Sequence, residues 1–190
     1  MKNQTLGGYS SVNEFVSAKL ERFLAMDCSF ASLFEVMFSE RENIMYERSE
    51  GYRIIKTTYG EARADVLGLS AELNRRLSDV AKGSVIGLYM DNSLLWLELF
   101  WAILRSGYRP LLMNRRLDTG SLEDALQVCD AQAVISEENS FAAYRWIPSA
   151  QLETVEAAKE QEETPAFGEE VLLMSSGTSA HVKICAYGAE

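Results

Sequence analysis

The sequence has few of the side chains that bind metals or nucleic acids. Its 190 residues include one histidine and three widely spaced cysteines, with no CxxC pair. A metal site or a disulfide framework is therefore not expected, and a reducing cytoplasm is the default location. Basic residues are also scarce, 18 against 28 acidic ones, and the net charge is -10. A general nucleic-acid partner is excluded because there is no basic stripe to release counterions.

Long hydrophobic runs are missing as well. The first residues, MKNQTLGGYSS, lack the apolar segment of a signal peptide. The most apolar helix-like run, residues 94–104, is too short to span a bilayer and contains Glu98. The overall composition, 47% apolar and 24% charged, is that of a globular protein. We therefore expect a soluble cytoplasmic protein, and the chain is long enough for one domain with a buried core.

Hydrophobic spacing in the first half predicts helices and one hairpin. Residues 1–42 contain two runs with apolar residues at helical spacing. Two strand-like runs around Gly51 predict a hairpin. A long amphipathic helix is then expected over residues 59–80. The predicted N-caps of these helices are Ser10 or Ser11, Ser29, and Thr57 or Thr58.

The second half alternates between strand-like and helix-like segments. The strands are SVIGLYM, YRPLLMN, AQAVISE and EVLLMSS, and the helices between them are LLWLELFWAILRSG and SLEDALQVCD. Such alternation with short connections implies parallel pairing through right-handed crossovers. The pattern predicts a three-layer α/β fold, with a mainly parallel sheet covered by helices at 59–80 and 94–106. The acidic residues 149–170 are expected to form a surface helix plus loop.

A loop of small polar residues follows the last of these strands, in the stretch LLMSSGTSAHVKI. Ligands of open α/β sheets gather beyond the carboxyl ends of strands, where backbone N–H groups, hydroxyls and a lysine can together hold an anion. A nucleoside-triphosphatase P-loop does not fit, because Val182 and Ile184 occupy positions that need Gly and Ser or Thr. From the residues alone, a phosphate cradle and an ordinary polar turn both remain open. The candidate phosphate ligands are Ser175, Ser176, Gly177, Thr178, Ser179 and Lys183.

Four segments together resemble the N-terminal part of the adenylate-forming (AMP-binding) enzymes, the superfamily of acyl-CoA synthetases, amino-acid adenylation domains and luciferases. The phosphate loop of that family reads Ser/Thr-Ser-Gly-Thr-Thr-Gly-x-Pro-Lys-Gly, and SSGTSAHVKI keeps the six candidate residues in register. The other segments are TTYGEARADVLGLSAEL, KGSVIGLYMDNSLLWLELFWAILRSGYRPLLMN and LEDALQVCDAQAVIS. The resemblance runs from about Asn43 to Lys183, in the order and spacing of the family.

The resemblance implies both a fold and a function. The expected fold is the first subdomain of the family's N-terminal domain, so that residues 1–190 form one α/β fragment of a larger AMP-binding domain. Helices within 1–42 pack on it, and residues 171–190 form a strand-loop-strand. The expected function is that of an ATP-dependent ligase, which converts a carboxylate to an acyl-adenylate and passes it to CoA or a carrier thiol. ATP and Mg are the implied cofactors, the six loop residues bind phosphate, and no catalytic or metal-binding residue is assigned.

The chain also departs from the family pattern. Ala180, Val182 and Ile184 replace Gly, Pro and Gly of the phosphate loop. The family's later nucleotide-binding motifs do not occur up to Glu190, so we expect the chain to be catalytically incomplete. The alternative is a non-catalytic binding or assembly module derived from the same scaffold. If the chain is a cut domain, an apolar face left exposed predicts self-association, most simply as a homodimer, whereas a monomer would favour a self-sufficient module.

Several residues near the middle of the chain receive structural interpretations. The aromatic residues Trp96, Phe100 and Trp101 are expected to lie in the core rather than in an acyl pocket, because aromatic residues on a helix face usually do. Asn92 and Ser93 are expected to cap the helix that follows them.

Overall fold

The structure is a computed structural model, and it describes residues 9–153, 155–156, 166–175 and 183–188. The candidate loop residues 176–182 therefore lie outside the described residues. Across the described ranges, no helix combines the length and the apolar character needed to cross a membrane.

The described residues contain five α-helices, and the N-caps of four of them agree with the predicted ones. Ser11, Ser29, Thr58 and Ser93 each accept a hydrogen bond from a backbone N–H in the first turn of the helix that follows. Thr58 and Glu61 form a reciprocal capping box, which fixes the start of the longest helix. The helices are α1 Val12–Leu24, α2 Phe30–Met37, α3 Tyr59–Arg76, α4 Leu94–Arg105 and α5 Thr119–Val128.

The eight strands of the described residues form a hairpin and a six-stranded sheet. The hairpin pairs β1 and β2 in antiparallel fashion, and Gly51 in its turn has a φ of 61°. The larger sheet has the order β6-β5-β3-β4-β7-β8 and is parallel except for β8. All four predicted strands of the parallel sheet lie in it, which confirms the fold class. The strands are β1 Ile44–Glu50, β2 Arg53–Thr58, β3 Val85–Tyr89, β4 Arg109–Leu112, β5 Ala131–Ser136, β6 Arg145–Pro148, β7 Glu170–Ser175 and β8 Lys183–Gly188.

The two edges of this sheet are β6 and β8. The sequence did not predict β6, which is short and ends in Pro148. Its first residue, Arg145, donates hydrogen bonds of 2.7 and 2.6 Å to the two carboxylate oxygens of Asp79, so the edge strand is also held from the side. On the opposite edge, β8 pairs along its described length with β7.

The sheet has an apolar core on each face, which makes the three-layer arrangement. On one face α2, α3 and α4 cover residues such as Ile86, Leu88 and Ile135. On the other face α5 covers Val85, Leu111 and Val134. The helix α4 is apolar nearly all round because it is packed against α2, α3 and the sheet.

The two N-terminal helices contact the core to different extents. Phe34 and Phe38 of α2 are buried and belong to the core beneath α3 and α4. None of the residues of α1 is buried, and this helix contacts α2. Lys19 links α1 to α2 and the residues after it, because its ammonium group donates to the carbonyl of Val36 at 2.9 Å and to the hydroxyl of Ser39.

The acidic segment begins with a short 3-10 helix, Ser149–Gln151. Much of the segment predicted to form a surface helix plus loop, residues 154 and 157–165, lies outside the described residues. The chain is described again at residues 166–168, which cross the end of α4. There Gly168 donates a hydrogen bond to the carbonyl of Leu104. A Cβ at Gly168 would overlap the backbone of Tyr108, so only glycine fits this approach.

Candidate phosphate site at the carboxyl edge of the sheet

The candidate phosphate loop joins β7 and β8 at the carboxyl edge of the parallel sheet. Ser175 is the last residue of β7, and Lys183 is the first residue of β8. The two residues are direct partners in the antiparallel pairing. The structure therefore brings together the two ends of the predicted phosphate-binding set. The remaining members, Ser176, Gly177, Thr178 and Ser179, lie outside the described residues.

Lys183 is exposed where the sheet meets solvent, and the next residue turns inward. Ile184 is opposite Met174 in the pairing, and both side chains pack against the core beneath α5. The isoleucine that replaces a family glycine is therefore used as a core residue. Because alternate residues of a strand face opposite sides, this packing fixes the direction in which Lys183 leaves the sheet.

Polar residues also follow the neighbouring parallel strands at this edge. The strand β3 has β4 on one side and β5 on the other, so the chain order reverses beside β3. Asp91 follows β3, Arg115 follows β4 and Glu137 follows β5. The guanidinium of Arg115 lies 3.2 Å from the carboxylate of Asp91 and donates to that of Glu137 at 2.6 Å.

Arg115 has a third contact in addition to the two carboxylates. Its guanidinium stands over the ring of Tyr89, 5.3 Å from the ring centroid. The hydrogen bond to Glu137 raises the pKa of Arg115 above its ordinary value, and the charge of Asp91 adds to the shift. Crevices beside the point where strand order reverses are the usual ligand sites of open α/β sheets. In this protein the side chain of Arg115 occupies that point.

A shallow cleft of ≈ 290 Å³ lies next to Arg115, between the ends of β3 and β4. Its polar lining comes from short segments that follow the two strands. One of these residues, Arg116, is exposed, and its backbone N–H donates to the side chain of Asn114 at 3.0 Å. The lining residues are Met90, Asp91, Asn92, Met113, Asn114, Arg115 and Arg116.

The start of α4 forms one rim of this edge. The hydroxyl of Ser93 accepts a hydrogen bond of 3.1 Å from the backbone N–H of Trp96, so its role as a cap is confirmed. Asn92 lines the cleft instead. Of the three aromatic residues of α4, Trp101 is buried with 4% of its surface exposed, while Trp96 and Phe100 are half-buried.

The described residues hold no group of three or more His, Cys, Asp or Glu side chains that could bind a metal ion. All three cysteines are free thiols.

The sequence profile of a family described as "AMP-binding enzyme" matches residues 38–183. This match covers all the parallel strands, β3 to β7, and ends at Lys183, the first residue of β8. The chain belongs to the AMP-binding enzyme family. No curated protein sequence matches it.

Solved structures of AMP-binding proteins share the fold. The N-terminal subdomain of Klebsiella oxytoca NpsA matches with a TM-score of 0.65 and 17% identity, over 82% of this chain and 40% of that one. O-succinylbenzoate coenzyme A synthetase (MenE) from Bacillus subtilis, in complex with AMP, has a TM-score of 0.61 and 20% identity, over 80% and 39% of the two chains. The N-terminal domain of FACL13 from Mycobacterium tuberculosis gives 0.59 and 22%, over 72% and 38%. The chain thus spans about two fifths of these structures.

Two features of the AMP-binding chain were missed from the sequence. The Arg115 contacts join three segments that are far apart in the chain, and only the order of the strands brings them together. The signal that could have found them is the position of each residue just after a predicted parallel strand. The second feature is the burial of Glu98, which the sequence showed only as one charge within an apolar helix.

Proposed function

We propose that this chain is the N-terminal portion of an ATP-dependent ligase that activates a carboxylate as an acyl-adenylate. The observation that carries the proposal is the position of Lys183 opposite Ser175 at the carboxyl edge, within a chain of the AMP-binding family. Transfer of the acyl group to CoA or to a carrier thiol is the proposed second step. NpsA has been solved as an artificial adenylation–PCP fusion, and MenE is a coenzyme A synthetase, so both acceptors occur among structural relatives.

The proposed role of Lys183 is electrostatic. A cation that is fixed next to the phosphates stabilises negative charge as it develops on the leaving pyrophosphate. Backbone N–H groups and hydroxyls of residues 175–179 supply the other donors. The antiparallel pairing of β7 and β8 holds both ends of this segment, and Ile184 in the core fixes the strand that carries the lysine.

The donor set fits ATP phosphates, since it offers hydroxyls, backbone N–H groups and an ammonium group but no metal cluster within the described ranges. Mg²⁺ in such sites is held largely by the substrate phosphates and one or two carboxylates, and it supplies charge neutralisation. In this chain Ser175, the loop residues 176–179 and Lys183 would hold the phosphates. We also propose a cytoplasmic location, which the three free thiols support.

The 190-residue chain alone is expected not to form acyl-adenylate. It spans about two fifths of its structural relatives, and the later nucleotide-binding motifs that the resemblance implies do not occur in residues 1–190. The measurement is pyrophosphate exchange with ATP, Mg²⁺ and a panel of carboxylates, with a complete adenylate-forming enzyme as the positive control. Exchange clearly above background would show that the chain carries the whole reaction and that the proposed incompleteness is wrong.

We further propose that the chain associates as a two-fold dimer. Apolar side chains at every fourth position of α1 are 53–62% exposed, and such surface is seldom left open to water. Light scattering across a range of protein concentrations is expected to show twice the monomer mass. A monomer at high concentration would contradict the proposal. The exposed residues are Val12, Val16, Leu20 and Leu24.

A non-catalytic module built on the same scaffold is the second candidate function. The observation that favours it is the use of Ile184 as a core residue at a position where the family phosphate loop has glycine. The two functions make opposite predictions for substitution of Lys183, which the Discussion describes.

A further inference from the structure

A buried carboxyl group lies at the contact between α3 and α4. Glu98 of α4 is 6% exposed. Its Oε1 atom is buried and has no hydrogen-bond partner among the described residues. Leaving a buried polar atom without a partner is unfavourable, and the cost is larger when the group is ionised. A carboxyl group in this position is more stable when it is neutral.

The charge that acts on Glu98 from the facing helix α3 belongs to another acid. Asp65 of α3 is half-buried, and its charge acts on Glu98 as a like charge. Asp65 itself makes no hydrogen bond or ion pair with the residues that the structure describes, and Glu61, one turn earlier, acts on it in the same way. Two acids on adjacent helices therefore repel each other in a region of low polarity.

The nearby cations are engaged elsewhere. Arg63 of α3 donates to Glu35 of α2 at 2.8 Å and stands over the ring of Phe34. Arg105, two turns farther along α4, contacts the hydroxyl of Ser70 at 3.4 Å. Arg109, the charged residue of β4, is bound to Glu170 at the amino end of the parallel strands, far from the start of α4.

Burial raises the pKa of Glu98 to about 7 from its ordinary value of 4.5, and the charge of Asp65 adds to the shift. This direction agrees with a carboxyl group that is more stable when it is neutral. The pKa of Asp65 is also raised, by burial and by the charge of Glu61. Because the two groups interact, their titration belongs to the pair.

We propose that Glu98 holds a proton at the α3–α4 contact, next to the like charge of Asp65, and that its loss loosens the first turns of α4 against α3. This helix begins at the carboxyl edge, directly after Asp91 and Asn92, so the protonation state of the pair is coupled to the rim of the cleft. The pair therefore stabilises that rim more at low pH than at high pH, and this role does not depend on the proposed ligase activity.

The direction of the pH dependence follows from the raised pKa. Between pH 4.5 and about 7 the folded protein binds a proton that the unfolded chain has released, so stability due to this pair falls as pH rises through that window. The difference between the two values corresponds to about 300-fold in the unfolding equilibrium constant.

The first test compares urea unfolding at pH 5, 6, 7 and 8 for wild type and three variants. Glu98→Gln mimics the protonated acid, so its unfolding constant is expected to rise with pH on the order of 100-fold less than that of wild type. Asp65→Asn removes the like charge, so its pH-dependent loss is expected at lower pH. Glu123→Gln, an exposed acid of α5 on the other face of the sheet, is the matched control and should follow wild type.

Equal pH dependence in wild type and Glu98→Gln would overturn the proposal.

Direct NMR titration of the Glu98 side-chain carboxyl in the wild-type protein provides a second measurement that does not rely on a variant. A midpoint near 7 is expected, and a midpoint near 4.5 would overturn the proposal. Hydrogen exchange, corrected for intrinsic rates, tests the loosening. The amides of the first turns of α4 should lose protection between pH 6 and 8 in wild type and keep it in Glu98→Gln. Unchanged protection in wild type would contradict the proposed loosening of α4.

Discussion

Trp101→Ala is expected to destabilise the fold by about 3–5 kcal/mol, the usual cost of removing a buried large aromatic side chain. The ring centroid of Trp101 lies 5.5 Å from that of Phe34 and 6.1 Å from that of Phe38. These contacts join α2 to α4. The cavity left by alanine would therefore weaken the packing of α2 on the rest of the core.

The measurement is urea unfolding followed by far-ultraviolet circular dichroism, which does not depend on the number of tryptophans. Trp146→Ala is the matched control, because this tryptophan is 37% exposed on the edge strand β6 and makes one long hydrogen bond, of 3.4 Å, to Ser136. Its loss is expected to cost clearly less. If the two variants are equally stable, the assignment of Trp101 to the centre of the core is wrong.

Lys183→Ala is expected to slow adenylate formation ten- to a hundred-fold in an active protein that contains this chain. The substitution removes a charge-assisted contact to phosphate, typically worth about 1.5 to 3 kcal/mol. The order of preference among carboxylates should not change, because the contact proposed for this lysine is to phosphate only. Carboxylate-dependent pyrophosphate exchange provides the measurement.

Two further variants sharpen this experiment. Lys56→Ala removes an exposed lysine that pairs with Glu47 on the β1–β2 hairpin, and it should leave the rate unchanged. Ala180→Gly restores a glycine of the family loop and should leave the rate unchanged or raise it. A Lys183→Ala protein as fast as wild type would mean that the loop is an ordinary turn, and it would favour the non-catalytic module.

Local signals in the sequence were enough to predict most of the fold. Ser29, Thr58 and Ser93 cap helices because a hydroxyl just before an amphipathic run satisfies free N–H groups, and this effect depends only on neighbouring residues. The buried parallel strands were found because each is a short apolar run between turn signals. The strand β6 was missed because Arg145 and Trp146 interrupt its apolar character and Pro148 ends it.

The candidate site was predicted less completely, for a physical reason. Ser175 and Lys183 were found because both belong to one continuous motif, and the strands bring them together as pairing partners. The contacts of Arg115 and the burial of Glu98 depend on which strands and helices become neighbours. That information is set by the tertiary fold rather than by any short stretch of sequence.

The unequal edges of the six-stranded sheet limit the kinds of assembly that strand pairing can build. Pro148 has no N–H to donate, and Arg145 is held sideways by Asp79, so β6 is a poor template for an added strand. The strand β8 has no such protection along residues 183–188. An open filament grows only if each chain pairs through both of its edges, β6 and β8. Two copies joined through β8 would leave only their β6 edges free, and these are poor templates. Pairing through these two edges therefore stops at two chains.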